Sequence, residues 1–352
     1  MASVFFVLLL ASPSHGGRRA KPRPEPSPAV EHVPEPLPVL DRLWGDGLPA
    51  AAGRIPVGLA NLSAQGCRAC HEGQHEGWST GHGSSARSSP WRGAAEAAGD
   101  PTCAACHQPL EEQHPGESFD AGLSLEGVTC ASCHVRDGFV LTARAADAPA
   151  SPHPLAHSPA LADDTVCAAC HQLTWSGADR PLYDTGSTWQ TSAYAEAGVS
   201  CTACHGSHGP PLDPAQAVSV LLDVERLEVR RGGPPLRAKI TLQNTGSGHA
   251  FPAGSPFRAV QVRLALDHED GVTSASESLT LLGRELATEA PWLTQTDSRL
   301  GIGETRVLDW EGALPLDSPT GNWVFHVTLS EVVSGSADAA PFVDQRLPLR
   351  VD

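Results

Sequence analysis

From Val218 onward, apolar and polar residues alternate in short runs. These are Val218, Val220, Leu222 and Val224, then Leu236, Ala238, Ile240 and Leu242, then Val260, Val262, Leu264 and Leu266. Two more follow at Trp323, Phe325, Val327 and Leu329 and at Leu347, Leu349 and Val351. Alternation with period two puts one face of each run in a core, and the intervening Gly, Pro, Asn and Asp mark turns. Residues 214–352 are therefore expected to form antiparallel strands in an all-β, immunoglobulin-like sandwich. His326 falls on the face opposite Trp323 and Phe325 and is expected to meet solvent.

Residues 41–213 show no sustained period. Gly, Pro, Ser and Ala crowd the stretches between brief helical segments, which predicts a loop-rich, mostly α region. Residues 18–40 are dominated by proline and charge, as in Lys21-Pro22-Arg23-Pro24-Glu25-Pro26, and read as an extended linker. Val4 to Ala11 form a short apolar run followed by Ser12-Pro13-Ser14, so residues 1–17 read as a secretory signal peptide. That run is too short to span a bilayer, and Arg18-Arg19 follow it, the wrong order for a twin-arginine signal.

The chemistry lies in residues 41–213, where Cys-x-x-Cys-His occurs five times. The copies are Cys67–Cys70–His71, Cys103–Cys106–His107, Cys130–Cys133–His134, Cys167–Cys170–His171 and Cys201–Cys204–His205. Together they use all 10 cysteines. Each is the attachment signature of c-type haem: the two thiols form thioethers with the vinyl groups, and the next imidazole meets the iron. Structural zinc or a redox disulfide needs only the cysteine pair, and neither asks for a histidine directly after it. Five motifs imply five covalent haem c groups and a business of moving electrons. At roughly one motif per 35 residues, there is too little protein to build a separate core around each porphyrin, so the cofactors themselves are expected to fill the interior.

A low-spin iron needs a second axial ligand. Met1 is the only methionine, and lysine occurs only at Lys21 and Lys239, so the distal ligands must be histidines unless one iron is left open. Candidates are His82, His114, His153, His157 and His208, with His249 in the β region. His82 closes Trp78-Ser79-Thr80-Gly81-His82 and is the strongest of them. His249 sits in a Gly/Pro loop, Gly246-Ser247-Gly248-His249-Ala250-Phe251-Pro252, that could reach across and tie the two regions together. His75, four residues beyond His71, shares its helical face and is expected to pack locally. Trp78, Trp91, Trp175 and Trp189 are expected to pack on porphyrin planes. Bis-histidine ligation lacks the potential-raising effect of methionine and predicts low midpoint potentials.

A formal net charge of -16 disfavours nucleic acid and an anionic membrane surface as partners and suits a redox donor or acceptor with a basic docking face. Haem c is attached outside the bacterial cytoplasm, so a periplasmic or secreted protein is expected. With every cysteine committed to a motif, none is left to carry a lipid.

These residues resemble the multihaem c-type cytochrome family that includes the tetrahaem electron carrier of hydroxylamine oxidation. The matching segments are the first motif with Trp78 to His82, Gly127-Val128-Thr129 leading into Cys130, and Trp189-Gln190-Thr191-Ser192-Ala193-Tyr194 leading into Gly198-Val199-Ser200-Cys201. The segment Gly248 to Gly254, with Asp297-Ser298-Arg299-Leu300, looks like the C-terminal module of respiratory or extracellular multihaem cytochromes. The resemblance spans about residues 60–330 and implies a distal-ligand role for His82. Tyr194 stands where a further ligand could be hoped for, which leaves room for an incomplete distal set. Three functions compete. The first is an electron carrier with mainly bis-His haems and no catalytic residue. The second is a reductase or oxidase of a small nitrogen or sulfur compound with one open iron. The third is a subunit of an extracellular cytochrome assembly. Pentahaem nitrite reductases share the haem number but typically place lysine on the catalytic iron, and no motif here ends in lysine.

Overall fold

Small residues and early chain breaks hold the helices of the first half to one or two turns. The computed structural model describes residues 37–40, 43–44, 47–85, 102–144, 151–208, 212–333 and 340–352. The expected signal peptide, the proline-rich stretch up to residue 36 and Trp91 lie outside the described residues. Helices are α1 (Ala64–Arg68), α2 (Glu72–Thr80), α3 (His82–Ser85), α4 (Thr102–His107), α5 (Ala121–Ser124), α6 (Cys130–His134), α7 (Thr165–His171), α8 (Thr185–Gln190), α9 (Ala193–Glu196) and α10 (Cys201–His205).

Four of these helices end on the histidine of a motif. Two of them start with side chains that satisfy orphan N–H groups of the first turn. Ser200 accepts from Ala203 N at 3.2 Å, and a Thr129–Ser132 capping box opens α6. The end of α6 is held by Arg136, whose buried guanidinium donates to the carbonyls of Ala131 at 3.1 Å and Ser132 at 2.7 Å and reaches Leu43 O at 2.5 Å. A cation on the last carbonyls of a helix is favourable both as hydrogen bond and against the helix dipole.

Short strands join these pieces. β1 (Val135–Arg136) pairs antiparallel with β2 (Phe139–Thr142), and β2 pairs parallel with β3 (Leu155–His157). β4 (Gln172–Leu173) pairs with β5 (Tyr183–Asp184). Residues 37–40, grouped by composition with the linker, instead run beside β3. Leu40 N donates to His157 O at 2.9 Å and His157 N to Pro38 O at 2.8 Å, because Val39 and Leu40 offer β-branched and apolar side chains where the proline run stops. Apolar packing here is divided into small clusters, such as Leu62, Leu110, Leu123 and Val135, or Leu43, Leu141 and Ala156.

The second half is built differently. It contains β6 (Val218–Val224), β7 (Glu228–Val229), β8 (Leu236–Asn244), β9 (Arg258–His268), β10 (Ser274–Leu286), β11 (Thr294–Asp297), β12 (Thr305–Gly312), β13 (Trp323–Val333) and β14 (Val343–Val351). One sheet has the order β11-β10-β9-β13-β14-β7 and the other β12-β8-β6. Both line one continuous core: Leu236, Ile240 and Leu242 from the smaller sheet meet Val262, Leu266, Phe325 and Leu329 from the larger. Every apolar position of the alternation read from the sequence is buried in β8, β9 and β13, although only β8 keeps the intervening positions exposed or half-buried throughout. β10, β11 and β12 carry no such alternation: Leu279, Leu281 and Val307 are exposed, while Leu282 and Trp310 are buried.

His326 departs from expectation, because it is buried. The neighbouring strands put carboxylates on either side of it, with Asp267 Oδ2 at 2.5 Å from Nδ1 and Asp344 Oδ1 at 2.9 Å from Nε2. A polar face can thus be covered by its own charge network when each group finds a partner.

Leu37–Asp352 cluster as one compact unit. The two halves meet through Trp175, whose ring lies 4.6 Å from that of Trp292 in an edge-on contact, with Leu182, Phe257 and Leu286 around them. Trp175 therefore serves this junction, and Cys103 of the second motif packs against the same cluster. The core of the β half should dominate its stability. Leu266→Ala, at a fully buried site, is expected to cost about 2–5 kcal/mol, read as a lowered guanidinium midpoint for loss of the strand signal in circular dichroism.

Candidate haem-binding site

The five motifs converge. Thiols of the first and third motifs meet at Cys67 and Cys130, those of the second and fourth at Cys106 and Cys170, and those of the fourth and fifth at Cys167 and Cys201. All ten cysteines are free of disulfides. The fourth motif, on α7, is therefore the hub to which the second and fifth attach.

The imidazoles converge with them. His205 and His249 face each other with ring centres 6.2 Å apart and planes inclined by 15°. His134 and His208 do the same at 5.7 Å and 25°. Two imidazoles on one iron need centres about 6 Å apart, since each Fe–N bond is about 2 Å and a ring nitrogen lies about 1 Å from its ring centre. Direct stacking of two rings would bring the planes much closer. Both pairs match the spacing of an iron held between them, so the residues present fit haem.

Hydrogen bonds select the correct nitrogen. His134 Nδ1 lies 2.9 Å from Leu141 O, which can only accept, so Nδ1 carries the proton and Nε2 is left bare for a metal. His249 is held more firmly. Its Nδ1 is 2.8 Å from Ser247 Oγ and 3.0 Å from Ala250 O, while the same Oγ donates to His249 O at 2.8 Å. His208 Nδ1 lies 3.1 Å from Ser207 Oγ, and His153 Nδ1 lies 3.0 Å from Ser151 Oγ. Contacts to a carbonyl fix the tautomer, whereas these hydroxyl contacts orient the ring. Ser151-Pro152-His153 and Ser247-Gly248-His249 share a Ser-x-His spacing, a sequence signal that could have pointed to both.

The remaining histidines divide. His153 lies near enough to His71 for that charge, after burial, to lower its pKa. His171 is pushed down to about 4 by burial and by the neighbouring imidazoles of His82, His205, His249 and His107. His107 is likewise pushed down to about 4 by burial. His82, at the start of α3, thus reaches the centre of the cluster. His114 does not match the pattern: its Nε2 is engaged by Gln108 O at 2.7 Å, a contact within its own turn. His157 lies in β3, where its backbone pairs with Val39, and among the described residues no second histidine ring stacks on it. His75 packs 5.1 Å from the Trp78 ring, and its buried Nε2 has no hydrogen-bond partner.

The loop carrying His249 is shaped by glycine. A Cβ on Gly246 would fall 1.8 Å from Gln216 O, and one on Gly248 would press on Tyr194 and Trp189 at 3.3 and 3.5 Å. Tyr194 and Trp189 therefore cover this loop, and Trp78 donates its indole N–H to Val128 O at 2.6 Å, directly before the third motif.

Tyr183 connects this cluster to the β half. It hydrogen-bonds Ser255 and lies beside Cys103, Cys106 and Cys170, and burial pushes its phenol up to about 12.

Residues 66–135 match the family model for cytochrome c554 and c-prime. In structure, the chain is similar to a penta-heme cytochrome c552 from Thermochromatium tepidum. The TM-score is 0.59 at 17% identity, covering 84% of this chain and 100% of that one. It is also matched by the CARDB domain of a Pyrococcus furiosus protein (TM-score 0.22, 14% identity, 38% of this chain and 87% of that one). Spo0M, a sporulation control protein from Bacillus subtilis, gives a TM-score of 0.19 at 14% identity, with 39% and 49% covered. The last two scores are too low to bear on the fold. No curated protein matches the chain. The family match and the shared fold support a multihaem c-type cytochrome with haem c as its cofactor, and among the described residues no helix is long and apolar enough to cross a membrane.

A folded-state phenol pKa of about 12 against the ordinary 10.0 means that the native state holds this proton more tightly than the unfolded chain. Stability should be constant below pH 10 and fall as pH rises toward 12. Tyr183→Phe should flatten that decline, measured as the pH dependence of the thermal midpoint.

Proposed function

We propose that this protein is an exported pentahaem c-type cytochrome that carries electrons between redox partners. The observation that carries the reading is the parallel facing of His205 and His249 at the spacing of one iron, with His134 and His208 repeating it. In this reading residues 41–213 form the cytochrome domain and residues 214–352 an immunoglobulin-like sandwich. Residues 1–17 are the signal, and the linker follows it.

Each motif's two cysteines hold a haem by thioethers, and His71, His107, His134, His171 and His205 are the proximal ligands. His249 with His205, and His208 with His134, would each hold an iron between them. His153 lies near His71 and His82 near His171, and both remain candidate ligands. Bound haem supplies one-electron exchange between ferric and ferrous iron. The chain contributes the rest. The carbonyls of Ala250 and Leu141 keep Nδ1 protonated, so that Nε2 is available. Contacts between motifs 1 and 3, 2 and 4, and 4 and 5 place the attachment points side by side, as an electron path requires. Trp189 and Tyr194 shield the His249 loop from water. No such role needs a substrate pocket.

The net charge of -16 favours a basic face on the donor or acceptor. The relation to the carriers of hydroxylamine oxidation rests on the motif-flanking segments and is part of this proposal, as is a periplasmic or secreted location.

Pyridine haemochrome analysis with EPR of the ferric protein tests the reading. Five haems per chain are expected, all low-spin where both axial positions are filled by histidine; a stoichiometric high-spin signal would identify an open iron and favour an enzyme. His249→Met should keep the haem count and raise the midpoint potential of one haem alone, read by redox titration.

A further inference from the structure

The loop that presents His249 belongs to the β half, yet the ring it faces, His205, belongs to the helical half. Something must set the register between them to within a fraction of an ångström, because a metal–nitrogen bond tolerates little else. The Trp175–Trp292 contact is apolar and has no fixed direction. A directional contact lies closer to the loop.

Arg299 donates through both terminal nitrogens to Asp184, at 2.8 Å to Oδ1 and 2.6 Å to Oδ2. The same guanidinium holds Asp297 through Nε at 2.9 Å. The Arg299 side chain is 10% exposed and that of Asp184 17%. A fork-to-fork pair of this kind fixes both distance and angle. Burial alone would lower the Arg299 pKa, but the two carboxylates outweigh it and raise it, so the cation is secure.

The β end of this pair leads to the His249 loop, and the helical end leads to α7, where Asp164, just before that helix, accepts from Cys201 N at 2.7 Å at the start of the helix that ends in His205. On the β side, Leu300 follows Arg299 and exchanges both backbone hydrogen bonds with Phe251, at 2.8 and 2.9 Å. Asn244 Nδ2 ties the same two segments, donating to His249 O at 2.9 Å and Leu300 O at 3.3 Å. His249 is two residues before Phe251. On the helical side, Asp184 immediately precedes α8, which packs against the motif-bearing helix α7. Ser187 N donates to Gln172 Oε1 at 2.8 Å, one residue past His171, and Trp189 at the end of α8 lies under Gly248.

We propose that Arg299 is a positioning residue: its bidentate pair with Asp184 sets the His249 loop opposite His205 and so controls whether that iron is six-coordinate. The inference rests on the reading of His249 as a distal ligand. Arg299 touches neither imidazole and acts through Leu300 and Phe251.

The test compares Arg299→Ala, His249→Ala and the double variant, each as full-length holoprotein, by ferric EPR with haem quantified. His249→Ala should convert one low-spin haem to high-spin; if it does not, the ligand reading itself fails. Given that conversion, Arg299→Ala should convert a substantial fraction of the same haem, and added imidazole should restore its low-spin signal. Arg299→Lys, which keeps the charge but loses the fork, should fall between. The double variant should lose no more low-spin haem than His249→Ala. A native spectrum for Arg299→Ala, or further haems lost in the double variant, would overturn the proposal. Should Arg299→Ala fail to accumulate, Asp184→Asn removes the charge from the other side and is judged by the same spectra.

Discussion

Two imidazoles that are to share an iron must stand with ring centres about 6 Å apart, each turning a bare nitrogen toward the metal. In the proposed reading, this chain meets that constraint with segments far apart in sequence. His205 ends a one-turn helix capped by Ser200, whereas His249 sits in a glycine-shaped loop between strands. Neither element could hold its ring alone. Ser247 orients the His249 ring, the Ala250 carbonyl fixes its tautomer, and the junction between the halves fixes its place. The β half thus has a reason to be rigid: its twin sheets share one continuous core, so the loop is mounted on a stable base.

The helical half obeys a different economy. Its apolar side chains form several small clusters, and buried polar side chains tie its loops together. Arg136 closes the third motif's helix, and Glu112 accepts from Ala52 N at 3.0 Å and Gly53 N at 3.2 Å. Gln113 bridges Leu123 O and Gly127 O. Such contacts hold loops in place without the volume of a conventional core, which suits a region whose interior is meant for large flat cofactors. They are also expensive to leave half-made, since a buried polar group without its partner costs more than the bond contributes.

Much of this was legible in the residues. The five Cys-x-x-Cys-His motifs specify their chemistry through adjacency alone, and the strands at Leu236–Leu242, Val260–Leu266 and Trp323–Leu329 follow from strict alternation. β10 and β12 were not legible, because Leu279, Leu281 and Val307 face outward and erase the pattern that a one-sided strand should show. The burial of His326 was hidden for a related reason: alternation tells which face a residue is on, but not that Asp267 and Asp344 on neighbouring strands will cover that face.

Sequence by itself determined the five Cys-x-x-Cys-His motifs, the near absence of methionine and lysine, and the switch from loop-rich to alternating character near residue 214. These depend on residue identity and on neighbours within a few positions. Only the tertiary structure decided which histidines face one another, that His114 turns its Nε2 to Gln108 O, that Trp175 belongs to the junction, and that Arg299 grips Asp184. The reason is physical. An axial pair, a fork-to-fork ion pair and a covered polar face are all relations between residues tens to hundreds of positions apart, and a fraction of an ångström separates a bond from a near miss.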